Sequence, residues 1–318
     1  MNDLQKIDPP EKLQRSLFRV QNLAPKFWLF WLAMALLRII VYLPQGGRMA
    51  VGRVLGQLLY YLASRRRRIA QRNLEICFPE KSIIETKRLL KTHFHSLGQA
   101  MIEHGMAWWL SNRRLQALTH FEGLEYIKQT QEAGHGVILL SAHFTSLELG
   151  NRLLTSFRGE KLDAMYQRHK SHFMENFIQY YREQHMGHMI PEDDIRQVIR
   201  ILKARGCVWY ASDQGYHGKY SAAVPFFGIP VMTNTALSRL AQMGKAKVIP
   251  FFTQRLANNQ GYLLKILPPI ENFPSEDEVS DALAYHKLIE QQIQQVPEQY
   301  LWVHRRFKYL PPGKQSLY

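Results

Sequence analysis

The chain has 318 residues, with 41 basic and 26 acidic side chains for a formal charge of +15, and two cysteines, Cys77 and Cys207. That length buries a sizeable core as one large domain or one domain with an appendage, and the charge points to anionic partners: a membrane surface, a phosphorylated lipid, an acidic protein or nucleic acid. Two cysteines far apart in sequence exclude a disulfide framework and a cysteine-rich zinc site, and they fit a reducing compartment.

Residues 1–24 form a basic segment of mixed charge. From Phe27 to Leu43 the chain is almost wholly apolar, bounded by Pro25 and Pro44 and interrupted only by Arg38, which predicts a membrane anchor helix over 25–44. At 1.5 Å per residue the apolar run reaches roughly 26 Å, at the short edge of a ~30 Å hydrocarbon layer. Lys6, Lys12, Arg15, Arg19 and Lys26 precede it, while Arg48, Arg53 and the run Arg65 to Arg68 come after it. The larger downstream cluster favours a cytoplasmic location for the rest of the chain, and a helix lying in the interface keeps both flanks there; spanning and interfacial placements both stay open. Residues 49–72 then predict a basic amphipathic helix, whose four consecutive arginines suit anionic headgroups; a solvated helix end is the plain alternative.

Residues 82–110 carry apolar side chains at helical spacing through Leu89, Leu90, Phe94, Leu97, Met101 and Met106, as one or two helices. Gly134 and Gly136 then lead into a buried strand over Val137 to Ser141, and Thr145 or Ser146 can cap a following helix that carries Leu147, Leu149, Leu153 and Leu154. His143 falls in the turn between them, with Glu148 five positions later. Five positions in one helix are rotated by roughly 140° from each other, so this pair meets only if the histidine precedes the first turn. There the carboxylate can accept one imidazole N–H and leave the other nitrogen free to take a proton. The alternative is a capping box over Thr145-Ser146-Leu147-Glu148, in which Glu148 reaches back to a backbone N–H.

Further strands are expected at 162–166, 207–211, 247–253 and 262–267, the last two joined through Asn258-Asn259-Gln260-Gly261 as a hairpin. Helices are expected at 171–185, 193–203, 234–243 and 276–295. Strands alternating with helices predict an α/β fold with a mixed, mostly parallel sheet flanked by helices. Arg168 and Asp213 each follow a strand end, where α/β proteins place ligands, although Asp213 before Gly215 also suits a turn. Arg305 and Arg306, between His304 and Phe307, offer paired N–H donors for anionic groups, with surface solvation as their alternative. His169 with His172, and His185 with His188, have metal-ligand spacing, but no clear carboxylate or cysteine completes either set and no metal is expected.

Taken together, several segments resemble the late acyltransferases of lipid A biosynthesis, within the wider lysophospholipid-acyltransferase-like group. They are Asn73-Leu74-Glu75-Ile76-Cys77-Phe78-Pro79-Glu80, His143-Phe144-Thr145-Ser146-Leu147-Glu148-Leu149-Gly150, Tyr166-Gln167-Arg168, Val208 through Gln214, Val224-Pro225-Phe226-Phe227-Gly228, and Pro297 through Lys308. The likeness runs from the apolar segment nearly to the C-terminus. Two departures concern substrate detail: His169 follows Arg168 where many relatives have proline, and Asp213-Gln214-Gly215-Tyr216 replaces an Asp-His-Asp-Tyr-Gly version.

The resemblance implies a glycerolipid acyltransferase-like domain over 45–318. Its reaction would move a fatty acyl group, laurate by the wording of the histidine segment, from an acyl carrier protein thioester to the hydroxyl of a 3-hydroxyacyl chain on a Kdo-bearing lipid A precursor. His143 would be the base and Glu148 its carboxylate support, with Arg168, Asp213, Arg305 and Arg306 binding substrate. Acyl carrier protein, the lipid A precursor and inner-membrane phospholipids would be the partners, with no cofactor and no nucleic acid, on the cytoplasmic face of a bacterial inner membrane. A different acceptor, either another glycolipid or a lysophospholipid, uses the same residues. A noncatalytic membrane-tethered protein binding lipid or nucleic acid is the reading from another class.

Overall fold

The strand β2 (Gly136–Ser141) is an unbroken run of small and aliphatic residues, and all six of its positions are buried. Such a run suits a strand covered on both faces. In the computed structural model, which describes Asn22 and residues 24–318, β2 occupies the middle of a seven-stranded sheet ordered β1-β9-β8-β2-β5-β3-β4. The other members are β1 (Thr119–Glu122), β3 (Asp163–Tyr166), β4 (Met189–Pro191), β5 (Cys207–Ala211), β8 (Ala246–Arg255) and β9 (Tyr262–Ile266). Every pairing is parallel except β8 with β9, the hairpin expected from the Asn-Asn-Gln-Gly turn. The antiparallel pair β6 (Ser221–Phe226) and β7 (Ile229–Asn234), and the short β4 and β1, are additions to the expected strands.

The helices are α1 (Trp28–Val41), α2 (Gln45–Leu62), α3 (Ser64–Cys77), α4 (Ile83–Trp109), α5 (Asn112–Gln116), α6 (Glu125–Glu132), α7 (Leu147–Arg158), α8 (His172–His185), α9 (Ile195–Lys203), α10 (Ala236–Gly244) and α11 (Glu278–Gln295). Side chains alternate across β2, so Ile138 and Leu140 enter one core with Phe94, Phe252 and Trp302 while Val137 and Leu139 enter another with Leu149, Leu153 and Phe251. Residues 82–110 form a single helix, started by a capping box in which Ser82 and Glu85 satisfy each other's backbone N–H groups.

The N-terminal region departs from expectation. The helix α1 has 14 residues, about 21 Å at 1.5 Å per residue, and no helix among the described residues is long and apolar enough to cross a membrane. The membrane anchor helix expected over 25–44 is therefore shorter than expected, and its spanning placement finds no support among the described residues. Pro44 explains the stop, because the residue before a proline is pushed out of helical backbone and α2 starts directly after it. The chain then folds back on the body: Phe30 and Trp31 pack edge-on against Phe173 and Phe177 of α8. On the other side of α1, Trp28, Leu29, Leu32, Leu36 and Ile39 are exposed, and so are Val54, Leu58, Tyr61 and Leu62 on α2. The basic stretch 49–72 is divided at Ala63 between α2 and α3. Most of the N-terminal segment 1–24 lies outside the described residues.

Helix α2 crosses α4 where glycines meet. A Cβ added at Gly98 would run into the backbone of Gly52 and Gly56, so the three glycines allow the two helices to touch backbone to backbone. That contact fixes α2 against α4.

Candidate active site

The parallel pairing of β2 with β5 places Ser141 beside Ala211. Both chains leave the sheet at this edge, and two residues further on in each, His143 and Asp213 meet. His143 Nδ1 donates to Asp213 Oδ1 at 2.6 Å, and the His143 backbone N–H donates to Asp213 Oδ2 at 3.1 Å. The hydroxyl of Tyr300 donates to the same Oδ2 at 2.8 Å. Since the ionised carboxylate can only accept, the imidazole proton is held on Nδ1 and Nε2 carries its lone pair outward. The Asp213 side chain is 2% exposed and the His143 side chain 30%, so the pair is anchored inside and open on one side.

Burial alone would lower the His143 pKa, but the Asp213 charge and hydrogen bond outweigh it and raise the value above that of an ordinary histidine. Burial acts against the Asp213 anion as well, yet the imidazole and the three donors hold its carboxyl far below the usual range. Beneath the pair lies a third charge. Arg306 is 1% exposed, with its guanidinium 4.4 Å from the centre of the Phe226 ring and Nη2 donating to His286 Nε2 at 3.2 Å. His286 accepts there because its Nδ1–H donates to Pro225 O at 2.8 Å, and burial, helped by the Arg306 charge, pushes its pKa down to about 3.

Glu148 is in the first turn of α7, and its partner is not the imidazole. Arg182 of α8 clasps it with Nε 3.0 Å from Oε1 and Nη2 2.6 Å from Oε2. Burial disfavours the Glu148 anion, but the guanidinium overrides this and lowers its pKa. The capping-box alternative is not formed either: α7 has no side-chain cap at Ser146. Thr145 and Ser146 are drawn into a buried network, where the hydroxyls of Thr145 and Ser96 hydrogen-bond at 2.8 Å and Arg255 donates to Ser146 Oγ at 3.3 Å. Arg255 is paired with Glu103 at 2.6 and 2.8 Å, and the Thr145 backbone N–H donates to Gln299 O at 2.7 Å. The turn holding His143 is thus fixed from α4, from β8 and from the C-terminal segment.

Among the residues expected to bind substrate, Asp213 joins His143 directly. Arg168 lies beyond β3 with its side chain 63% exposed, in a loose ion pair with Asp193 at 3.6 Å. Arg305 is half-buried over the ring of Tyr318. Arg306 is the correction: its side chain enters the core between Phe226 and His286, where a lipid phosphate has no access, because the turns of this segment bury Trp302, Arg306 and Phe307 together. Sequence reasoning misses Arg182 and Tyr300. Tyr300 stands inside the C-terminal segment that carries the family resemblance, while Arg182 lies in a mixed polar and aromatic helix with nothing local to single it out.

A polarised imidazole with a free Nε2, at the carboxyl ends of parallel strands, is apparatus for taking a proton from a hydroxyl nucleophile, as enzymes of group transfer and hydrolysis require. Similarity to known proteins specifies the class: the chain belongs to the bacterial lipid A biosynthesis acyltransferase family, which it matches over residues 16–309. It is 36% identical over 303 residues to the lipid A biosynthesis palmitoleoyltransferase of Escherichia coli (strain K12), covering 95% of this chain and 98% of that one. It is 35% identical over 302 residues to the lauroyltransferase of the same organism, with the same coverage. A lipid A biosynthesis acyltransferase of Haemophilus influenzae is 35% identical over 313 residues, 97% of this chain and 99% of that one. The chain is accordingly an acyltransferase, and its lipid substrate class is the lipid A precursor.

Proposed function

We propose that the chain transfers a fatty acyl group, laurate in the first instance, from an acyl carrier protein thioester to the hydroxyl of a 3-hydroxyacyl chain on a Kdo-bearing lipid A precursor. The observation that carries this reading is the Nδ1–Oδ1 bond with Nε2 left open. A secondary hydroxyl is too weak an acid to attack unaided. His143 Nε2 takes its proton as the oxygen attacks the thioester carbonyl, and Asp213 stabilises the imidazolium. When the tetrahedral intermediate collapses, the carbon–sulfur bond breaks and the imidazolium returns its proton to the thiolate. The N-terminus of α7, with its positive dipole end, favours the developing oxyanion.

Glu148 acts one step away from the reacting atoms, as a positioning residue that holds Arg182 against the first turn of α7. Arg168 and Arg305, both with solvent access, are the candidates for anionic groups on the acceptor. The same reading puts the enzyme on the cytoplasmic face of the inner membrane, lying on the leaflet through the exposed apolar side of α1 and α2. The exposed Arg65, Arg66 and Arg68 flank that side and suit anionic headgroups.

Purified chain, supplied with lauroyl-acyl carrier protein and the tetraacylated, Kdo-bearing precursor, is expected to add one lauroyl mass to the lipid by mass spectrometry. His143→Ala should abolish the gain. Undiminished transfer by that variant would refute the mechanism, and preference for lysophosphatidic acid would refute the acceptor.

A further inference from the structure

Helix α2 starts without a side-chain cap. Its N-cap is Pro44, no acidic residue lies in its first turn, and its second and third residues are Gly46 and Gly47. The first intrahelical bond runs from the Arg48 N–H to Pro44 O at 3.1 Å, so the N–H groups of Gln45, Gly46 and Gly47 stand ahead of it as donors at the positive end of the dipole. Asn259, in the turn that closes the β8–β9 hairpin, lies beside them: a Cβ added at Gly46 would be 3.6 Å from Asn259 Nδ2.

Arg48 adds a buried cation to this turn. It is 8% exposed, yet its Nε and Nη1 have no hydrogen-bond partner among the described residues. Helical side chains lean toward the helix N-terminus, so Arg48, at the fourth position, carries its guanidinium back over the open donors. Arg114 of α5 is exposed, lies with its guanidinium 5.3 Å from the centre of the Tyr42 ring, and is close enough to Arg48 for the two charges to repel. Neither arginine forms an ion pair among the described residues. Glu103, the buried carboxylate that accepts from the Tyr262 hydroxyl, is already held by Arg255. Two cations and a row of backbone donors thus converge with no anion of the protein's own, and an unpaired buried guanidinium is costly until an anion meets it.

We propose that the start of α2 binds the phosphate of an anionic membrane glycerophospholipid, through the N–H groups of Gln45, Gly46 and Gly47 and the guanidinium groups of Arg48 and Arg114. A phosphodiester matches this donor set, because its two unbridged oxygens carry one charge between them and accept from several N–H groups at once. The neighbouring surface selects a bilayer lipid as the occupant. Ile39, Tyr42 and Leu43, immediately before Pro44, are exposed, so a phosphate seated at Gly46 leaves its acyl chains beside the apolar side of α1. Such a lipid fixes the junction of α1 and α2 at headgroup depth. The site takes from the function reading only the leaflet beside α1, and it needs no acyl transfer.

The full chain is titrated with dihexanoyl phosphatidylglycerol below its micellar concentration, beside inorganic phosphate and phosphate-free dihexanoylglycerol, with the rise in Tm as the readout. Phosphatidylglycerol is expected to raise Tm at concentrations where the other two do not. Arg48→Met should weaken its apparent affinity by roughly tenfold or more, the loss of one ionic hydrogen bond. Without lipid the same variant should melt at or above the wild-type Tm, because it removes an unpaired buried charge. A lower Tm with an undiminished lipid response would make Arg48 a structural residue and overturn the proposal. Should Arg48→Met fail to fold, Arg114→Glu reverses an exposed charge at the same site and should weaken binding by a similar factor; unchanged affinity overturns the assignment. Inorganic phosphate binding as tightly as the lipid would reduce the site to an ion site and overturn it too. If Arg114→Glu instead raises the KM for the Kdo-bearing precursor and leaves phosphatidylglycerol binding untouched, the occupant is the acceptor and the proposal fails. No thioester enters the titration, so a chain that transfers no acyl group counts against the function reading alone.

Discussion

Replacing Asp213 with asparagine should move two observables, the rate at neutral pH and the acid limb of the pH profile. The carboxylate makes an ionic hydrogen bond to His143 Nδ1 at 2.6 Å with its own side chain only 2% exposed. A hydrogen bond of this charged kind is worth about 1.5–3 kcal/mol, or roughly 10- to 150-fold in rate at 1.36 kcal/mol per tenfold. An amide turned to offer its N–H to Nδ1 would also fix the tautomer with the proton on Nε2, which cannot act as a base. The combined expectation is a loss of about 10²- to 10³-fold in kcat/KM at neutral pH, within the range that general-base catalysis supplies.

The pH profile should shift as well. His143 works in its neutral form, and its raised pKa puts the acid limb of kcat/KM above the ordinary histidine value, with activity rising as pH rises through it. Without the carboxylate, only the lowering effect of burial remains, so the limb moves to lower pH and the deficit against wild type narrows as pH falls. Initial rates from pH 5 to 9, with chain integrity checked by thermal melts, measure both effects. A slower variant with an unmoved acid limb would refute the electrostatic role of Asp213, and an undiminished rate would refute the pair altogether.

Glu148→Gln breaks a clasp in which Glu148 is 7% and Arg182 21% exposed, so a destabilisation of about 3 kcal/mol, at the low end for a buried pair because of Arg182's exposure, is expected in urea unfolding. Its acid limb should stay at the wild-type pH; a shift like that of Asp213→Asn would mean that this carboxylate does touch the imidazole. Gly98→Ala forces a Cβ into the backbone of Gly52 and Gly56 and should cost about 1–3 kcal/mol or more, seen as a lowered Tm, with a wild-type Tm counting against the close crossing. Arg65→Gln with Arg68→Gln should weaken sedimentation with phosphatidylglycerol-containing vesicles by roughly fivefold per residue, and Leu58→Asp with Leu62→Asp should weaken it further at any salt. Binding indifferent to all four substitutions would refute docking through this side.

The legible parts of the chain are those in which one segment is enough. The all-apolar β2, the turn that makes the β8–β9 hairpin and the helical spacing of α4 each carry their own signal, and the α/β layering comes from their alternation. His143 is found for the same reason, since it ends a strand that reads clearly. What escapes detection depends on which strands are neighbours. Glu148 looks like the partner because it is near in sequence, whereas Asp213, 70 residues away, becomes the partner only once β2 and β5 lie side by side in register. Both strands stop two residues before a polar side chain, so the pairing becomes readable once the strand order is known. Arg306 escapes for a related reason: its charge suggests solvent, and only the packing of α11 and the β6–β7 pair supplies the histidine and the ring that receive it. The length of α1 is misjudged because hydropathy does not register how the ends wind: Pro25–Phe27 form a 3-10 turn, and Tyr42 and Leu43 fall outside the α-helix.

Gln299, Tyr300 and Leu301 each bond to the catalytic turn or to its aspartate, and Asn73 grips the carbonyls of Trp302 and His304 from the opposite side. A ribosome therefore completes β2 and β5 long before it delivers the strip that braces them. Until those late residues emerge, the carboxylate beside the imidazole lacks its tyrosine donor and the catalytic turn lacks its bond from Leu301. Assembly of the site therefore waits on residues 299–304, more than 150 positions after the histidine they brace.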